Sequence, residues 1–600
     1  MLEFINSPKD LKKLDIDSLP QVCQEIRDKI INIVEKNGGH LSANLGVVEL
    51  IVALYYVFDF PKDKLIFDVG HQSYTHKILT ERKELFDTLR KEGGLSGFPN
   101  IFESVYDSYT SGHAGSSVSA GLGYCEARDA LGQDYYVICL VGDGALVNGV
   151  TLEALVNSEE KPEKFLVILN DNGMSISKNT SGLYKTISRL SRQKSYSKTM
   201  KKANNKIGKN WFGKQLKAFK SFIKRMLSPL ASLELVGLRY VGVYDGNNVK
   251  QTVKILKDIK ETQRINLLHL ATTKGKGNLD AERNSEKYHG IGKHFISSIN
   301  SFSQEFGKTL TEFAEQDKRF RVITAGMRDG TGLTDFSNEY PDRFIDVGIA
   351  EEHALTMSAG IALGGVKPYF VVYSTFLQRC YDQISIDICL QKLPVCICID
   401  RAGLVGSDGQ THQGIFDLSY LNHIPNLTIL SPKDPIEFRD MLNFSYTYNS
   451  PLAIRYNNGV SQNFLDHKPF DLSWEKVINN AKADFTILAV GHRMNKLALE
   501  IQEKSSKKIN IINARVVKPL DTKLLGEINT PIITLEENVL NGGFGSAVQN
   551  YLLENNSNLS VKSFGVKQEF ISHATVDSQL LQSGLYAENI IKVMELYEKK

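Results

Sequence analysis

Two short segments combine glycine with oxygen-bearing side chains in a way that suits a charged ligand: Gly142-Asp143-Gly144-Ala145 and, about 27 residues on, Asn170-Asp171-Asn172-Gly173. Glycine lets backbone approach a bulky anion, and a helix that follows such a turn presents unpaired N–H groups to phosphate. A carboxylate at Asp143 would repel a bare diphosphate. A hard divalent cation between the two removes the conflict, because Mg²⁺ seeks octahedral oxygen ligation and is held by one or two protein groups plus phosphate. Asn172 supplies the next oxygen. Two histidines share a related layout, each directly after a glycine, His40 in GGHLSANLG and His71 in VGHQSYTHK, while SGHAG, with His113, is a turn before a helix N-terminus. Imidazole exchanges protons near pH 7, so such histidines at a ligand edge point to proton transfer.

These groups need rigid elements to aim them. An apolar, β-branched run at 135–141 stops at the first segment, a helical pattern follows through Leu152, Leu155 and Val156, and a second apolar run at 165–169 ends at the Asn-rich segment. That is a strand–helix–strand unit, and open α/β sheets hold ligands beyond the carboxyl ends of their strands. Before it come helices at 20–37 and 47–56, a strand at 65–68 and a small-residue helix at 117–130. After it a strand at 266–271 opens into Thr273-Lys274-Gly275-Lys276-Gly277, which lacks P-loop spacing. A second series begins near residue 300, with strands at 321–325, 369–372, 395–400 and 452–455. It carries Glu351-Glu352-His353, Tyr373, Phe376, Arg401, Asp408, His412 and Arg455. A polar bridge at 457–483 leads to a third series with strands at 485–490, 509–514 and 532–536. The expected fold class is α/β, with three doubly wound αβ domains at 1–300, 301–475 and 476–600.

With 71 Lys and Arg against 68 Asp and Glu, the net charge is only +3, so the whole chain is not built to bind polyanions. It has no apolar run of about 18 residues and no signal-peptide pattern, which excludes a membrane span and favours a cytoplasmic protein. None of the seven cysteines forms a CxxC pair, and most lie in apolar runs as reduced core residues. Residues 185–225 stand apart, with fourteen Lys and Arg, interleaved aromatics, and no acidic residue between Asp171 and Glu234. Alone the segment resembles an RNA-binding arm. Its place inside a domain and the charge balance elsewhere favour a mobile basic insertion, at about 183–232, over a site for anionic ligands, with no nucleic-acid partner.

The paired GDG and NDN segments are the diphosphate–magnesium motif of thiamine diphosphate enzymes. Together with GGHLSANLG, VGHQSYTHK, SGHAG, NDNGMSIS, DVGIAEEHA, YSTFLQRCYDQ and GLVGSDGQTHQG, they make the chain resemble, end to end, the 1-deoxy-D-xylulose-5-phosphate synthases, a transketolase-like family. The resemblance implies thiamine diphosphate and Mg²⁺ as cofactors, pyruvate and glyceraldehyde 3-phosphate as substrates, and a homodimer. It implies Asp143, Asn172 and the Met174 carbonyl as metal ligands. Gly112, His113, Ala114, Gly144, Ala145, Asn172 and His71 would line the cofactor, with Glu351 on its aminopyrimidine and Phe376 stacked against it. Tyr373, Arg401 and Arg455 would hold the substrate phosphate, and His40, His71, Asp408 and His412 would surround the reacting carbons. Some positions depart from the family pattern: Asn278 stands where an aromatic cofactor contact is common, Asn247 where His is usual, and Glu352 where Gln is frequent. Transketolase is the nearest rival reading.

Overall fold

The structure, a computed structural model, describes residues 1–157, 162–173, 239–262, 267–285, 288–290, 301–459, 463–464 and 467–597. The expected basic insertion and Met174 lie outside the described residues. The chain divides into two compact units, Met1–His294 and Phe295–Lys600.

The first unit is organised on a parallel five-stranded sheet of β1 (Lys64–Phe67), β2 (Val137–Gly142), β3 (Phe165–Asp171), β4 (Tyr240–Asp245) and β5 (Leu267–Ala271), in the order β1-β2-β3-β5-β4. A parallel sheet is covered on both faces, so its central strands read as unbroken apolar runs. Every residue from Val137 to Val141 and from Phe165 to Asp171 is buried. Helices Leu19–Asn37 and Val48–Val57 share one apolar core with the sheet. The pairing of β2 with β3 sets Gly142 level with Asn170, so both ligand-like segments leave the sheet at the same edge. The helical pattern after Gly142 is split into a single turn, Asp143–Leu146, and a second helix, Gly149–Asn157. The split falls at Asn148, whose Oδ1 accepts from Val150 N at 3.2 Å and starts the second helix afresh.

The second unit holds two mixed sheets. The larger contains β6 (Phe320–Thr324), β7 (Phe344–Asp346), β8 (Lys367–Tyr373), β9 (Cys396–Asp400), β10 (Thr428–Leu430) and β11 (Leu452–Arg455), all parallel. The smaller contains β12 (Glu475–Ile478), β13 (Phe485–Ala489), β14 (Ile509–Asn513), β16 (Ile532–Val539) and β17 (Val561–Val566), with β12 antiparallel at its edge. Six strands, β4, β7, β10, β12, β15 (Val516–Lys518) and β17, are absent from the sequence pattern, and β12 and β15 show why. β12 lies inside the polar bridge. β15 leaves the smaller sheet's segment to pair antiparallel with β10 of the larger one. Both are short edge strands, which carry little periodicity of their own. All seven cysteines are buried thiols. No helix among the described residues is long and apolar enough to cross a membrane.

Candidate functional site

In the first unit the tips of β1, β2 and β3 gather the expected groups. Asp143 opens the turn Asp143–Leu146 and is buried, and its Oδ2 has no hydrogen-bond partner. Burial, reinforced by the like charge of Asp171, pushes its carboxyl up to about 8. Of the neighbouring triplet, Asn170 is engaged with Gln72 (3.4 Å) and Thr272 (2.6 Å), and Asp171 with His269 Nε2 (3.0 Å). Asn172 follows at the turn. Asp68, just past β1, accepts from Gly115 N (2.8 Å) and Ser117 N (3.0 Å), and thereby fixes the loop carrying Gly112, His113 and Ala114 at the start of helix Ser117–Ala130. Gly115 has φ +95°, and a Cβ there would fall 2.1 Å from Asn148 Oδ1, so only glycine fits between loop and turn. Gly144, Ala114 and Ala145 are buried beside these groups.

His40 and His71 come together through Asn44, whose Nδ2 donates to both of their carbonyl oxygens at 2.7 Å. Their ring centroids are 5.6 Å apart. A third ring, that of His289, joins them without a role expected from the sequence, 5.6 Å from His40 and 5.5 Å from His71. Its imidazole is held well below the usual histidine range, first by burial and then by the charge of Lys274. The signal was present in Tyr288-His289-Gly290, a glycine-flanked histidine like His40 and His71. Ser42 docks that segment, donating from N to Tyr288 O (3.0 Å) and from Oγ to Ser285 O (3.0 Å). Asn247 joins the same loops, accepting from Thr273 N (2.7 Å) and donating to Gly46 O (3.0 Å). Asn278, expected among the cofactor contacts, caps helix Leu279–Arg283 instead, its Oδ1 accepting from Ala281 N at 3.0 Å.

In the second unit, Glu351 is the first residue of helix Glu351–Leu363 and is buried, with Oε2 lacking a hydrogen bond. Burial pushes its carboxyl up to about 7 against the opposing charge of Arg379. Tyr373, Phe376, Arg401 and His412 form one group. The Tyr373 and Phe376 rings stack at 6.0 Å, the Arg401 guanidinium carbon sits 3.9 Å from the Tyr373 ring centre, and His412 meets Phe376 edge-on at 5.7 Å. A Cβ on Gly330 would fall 2.0 Å from the Tyr373 hydroxyl, so glycine there admits the ring. Asp408 begins the short turn Gly409–Thr411 that precedes His412, and its charge reaches the Tyr373 hydroxyl, which is pushed up to about 12, chiefly by burial. Arg455, expected on the substrate phosphate, is buried instead in an ion pair with Asp417 (2.9 Å), with Nη2 donating to Glu537 O (3.2 Å).

Asp143 Oδ2 and Glu351 Oε2 are buried without a hydrogen bond, and their chemistries fit a cation and a protonated ring nitrogen respectively. No three His, Cys, Asp or Glu among the described residues converge on a metal-sized point, so a metal at Asp143 would draw on amide, carbonyl and phosphate oxygens as a hard cation does.

Residues 2–272 match the family described as 1-deoxy-D-xylulose-5-phosphate synthase, residues 300–461 the transketolase pyrimidine binding domain and residues 475–590 the transketolase C-terminal domain. The chain is 46% identical over 609 residues to the 1-deoxy-D-xylulose-5-phosphate synthase of Clostridium tetani, covering 98% of each chain. The chain belongs to the 1-deoxy-D-xylulose-5-phosphate synthase family. It is 44% identical over 610 residues to the synthase of Caldanaerobacter subterraneus (98% of each chain) and 43% identical over 623 residues to that of Carboxydothermus hydrogenoformans (100% of this chain, 99% of the other). Among solved structures it is similar to the transketolase of Campylobacter jejuni, with 18% identity and a TM-score of 0.43 over 97% of this chain and 100% of that one. Membership of the synthase family gives the transketolase-like α/β fold and makes the chain a thiamine diphosphate-dependent transferase of the transketolase type.

Proposed function

We propose that this chain condenses pyruvate with D-glyceraldehyde 3-phosphate to 1-deoxy-D-xylulose 5-phosphate and CO₂, the first step of non-mevalonate isoprenoid synthesis. The observation that carries this reading is the 46% identity that runs end to end with a synthase of that name. When bound, thiamine diphosphate supplies an acidic thiazolium carbon and an electron sink for the decarboxylation. Asp143 and Asn172 would hold Mg²⁺ and so neutralise the charge of its diphosphate. His71, Gly112, His113, Ala114, Gly144 and Ala145 line its path. Glu351 holds and returns a proton at the aminopyrimidine ring nitrogen, and Phe376 stacks against that ring. Arg401, braced by Tyr373, fixes the acceptor phosphate, since guanidinium suits phosphate geometry. His40, His71 and His412, with Asp408 and with His289 added by its position, exchange protons with the reacting oxygens.

Leu363, Ile386 and Leu390 stand exposed on packed elements of the second unit, which supports the reading that a second copy of the chain covers them in a cytoplasmic homodimer. The activity test is direct. With pyruvate, Mg²⁺ and thiamine diphosphate supplied, CO₂ release is expected to depend strongly on added glyceraldehyde 3-phosphate. Consumption of xylulose 5-phosphate without CO₂ release would favour transketolase and overturn the proposal.

A further inference from the structure

β8 ends at Tyr373, and the chain passes at once into two tight turns, Ser374–Leu377 and Gln378–Cys380. The first is an α-helical turn capped by the extended Tyr373 and the second is a 3₁₀ turn, and on such turns residues three apart lie on neighbouring faces. Tyr373, Phe376 and Arg379 follow that spacing. The first two stack as rings. The third reaches a different group: Arg379 Nη1 lies 4.0 Å from Glu351 Oε2, with the two side chains 17% and 4% exposed.

The other charges near Glu351 do not substitute for Arg379. Glu352, next along the helix, is a like charge that pushes the Glu351 carboxyl up. Cys380, on the same turn as Arg379, is a thiol pushed well up by burial and then by Glu351. Asp387, on the adjoining turn Gln383–Cys389, accepts from Thr356 Oγ1 at 2.6 Å. Lys367 begins β8, at the opposite end from Tyr373, and donates to Tyr448 O (2.6 Å), while Arg321 near the start of β6 donates to Lys318 O and Phe320 O. Among the described residues, Arg379 is therefore the cation that faces Glu351.

We propose that Arg379 is a positioning residue for the reaction: its guanidinium keeps the buried Glu351 carboxylate ionised and aimed, so that one short segment, 373–379, carries both the ring pair and the counter-charge of the acid. This rests on the reading of Glu351 as the group at the cofactor's ring nitrogen. Burial already lifts Glu351 to about 7 with Arg379 opposing it. An opposite charge at this range moves a carboxyl by about 1–3 units, so removing it lifts Glu351 further and confines the ionised form to higher pH.

The test uses the full chain with cofactor and Mg²⁺, measuring kcat from pH 6 to 10 and the dissociation constant for thiamine diphosphate. Arg379→Gln is expected to move the acid limb of the profile up by about one pH unit or more. Activity at pH 7 then falls about tenfold, while activity at pH 9 and cofactor affinity stay within about threefold of wild type. Arg379→Lys keeps a cation and is expected to recover at least half of the shift. Arg379→Met keeps side-chain bulk without charge and reads in the same way should the Gln variant fail to fold. An unmoved acid limb, an equal loss at every pH, or a Lys variant as displaced as the Gln one overturns the proposal. Glu351→Gln, run alongside, separates the two readings. If it still turns over, the assignment of Glu351 fails. If it is inactive beside an unmoved Arg379→Gln limb, only the role of Arg379 fails.

Discussion

Asp143 in the first unit and Glu351 in the second are both buried, both pushed toward neutrality, and both left with an oxygen that nothing bonds. Their company differs. Asp143, at about 8, has burial compounded by a second carboxylate, Asp171, and only partly offset by Lys274. Glu351, at about 7, has burial opposed by a guanidinium. A like charge in low dielectric adds to the cost of ionising Asp143, and a divalent cation beside it would offset that cost. A carboxylate already facing a cation has no need of a metal, and its neutral and charged forms lie close enough in energy to pass a proton. On the proposed function, the same desolvation would prepare one site for Mg²⁺ and the other for acid–base work, with the sign of the nearest neighbour deciding which.

The sharpest way to break this comparison is to neutralise each carboxylate in turn. Asp143→Asn is expected to weaken thiamine diphosphate and Mg²⁺ uptake by at least about a hundredfold, and to abolish turnover as a consequence. Glu351→Gln is expected to bind the cofactor within about tenfold of wild type and still lose about a thousandfold in kcat, the scale of an acid–base group. Calorimetric titration beside turnover separates them, and equal behaviour of the two variants would erase the distinction. The raised values also fix a sign for stability. Between the ordinary carboxyl range near 4 and the folded values near 7 and 8, the folded chain keeps protons that the unfolded chain has released. The metal-free protein therefore loses stability as pH rises through that window, the loss is complete above the folded values, and Mg²⁺ with cofactor flattens the slope. Glu536, also pushed up to about 7 by burial, adds to the same trend, so neither variant removes all of it.

The first unit was largely legible in the sequence because its chemistry sits on strand tips. The runs at 135–141 and 165–169 end where polar residues begin, and a parallel pairing brings those ends level. The same logic picked out Glu351, Tyr373 and Arg401 as candidates. It missed His289, which reaches the histidine cluster through contacts across long sequence separations, from Ser42 to Ser285 and Tyr288. It missed β15 because three residues carry no period, and because the partner that makes them a strand, β10, lies more than eighty residues away. Arg455 carries an ion pair that the sequence did not foretell. It ends a strand, as Arg401 follows one, but its partner Asp417 comes from a separate helix that no spacing rule connects to it.

That pair of arginines supplies the next test. Arg401 is braced by Tyr373, by Asp400 (2.8 Å) and by Gly330 O (2.7 Å), and remains partly exposed at the edge of the ring group. Arg401→Gln is expected to raise KM for glyceraldehyde 3-phosphate by about tenfold or more with a small change in unfolding temperature, the loss of one charge-assisted phosphate contact. Arg455→Met should do the reverse. Breaking a buried pair strands Asp417 and costs about 3–5 kcal/mol, visible as a lower unfolding temperature in calorimetry, while KM in the surviving folded fraction stays near wild type. A raised KM for Arg455→Met with unchanged stability would return Arg455 to the phosphate.

The smallest effect is expected at Asn278, where a cofactor contact and a helix cap make opposite forecasts. If its side chain serves only Ala281 N, then Asn278→Ala costs about 1 kcal/mol of stability and leaves thiamine diphosphate affinity within about twofold. Asn278→Asp keeps an oxygen at the cap and adds a negative charge at the start of helix Leu279–Arg283, which the helix dipole tolerates or favours. Stability then holds. A side chain in contact with the cofactor would respond in the other order, because the added charge repels diphosphate and Asp would harm affinity more than Ala. Measuring both variants for unfolding temperature and cofactor affinity therefore distinguishes a cap from a contact even though each change is small, and the hydrogen bond to Ala281 N at 3.0 Å favours the cap.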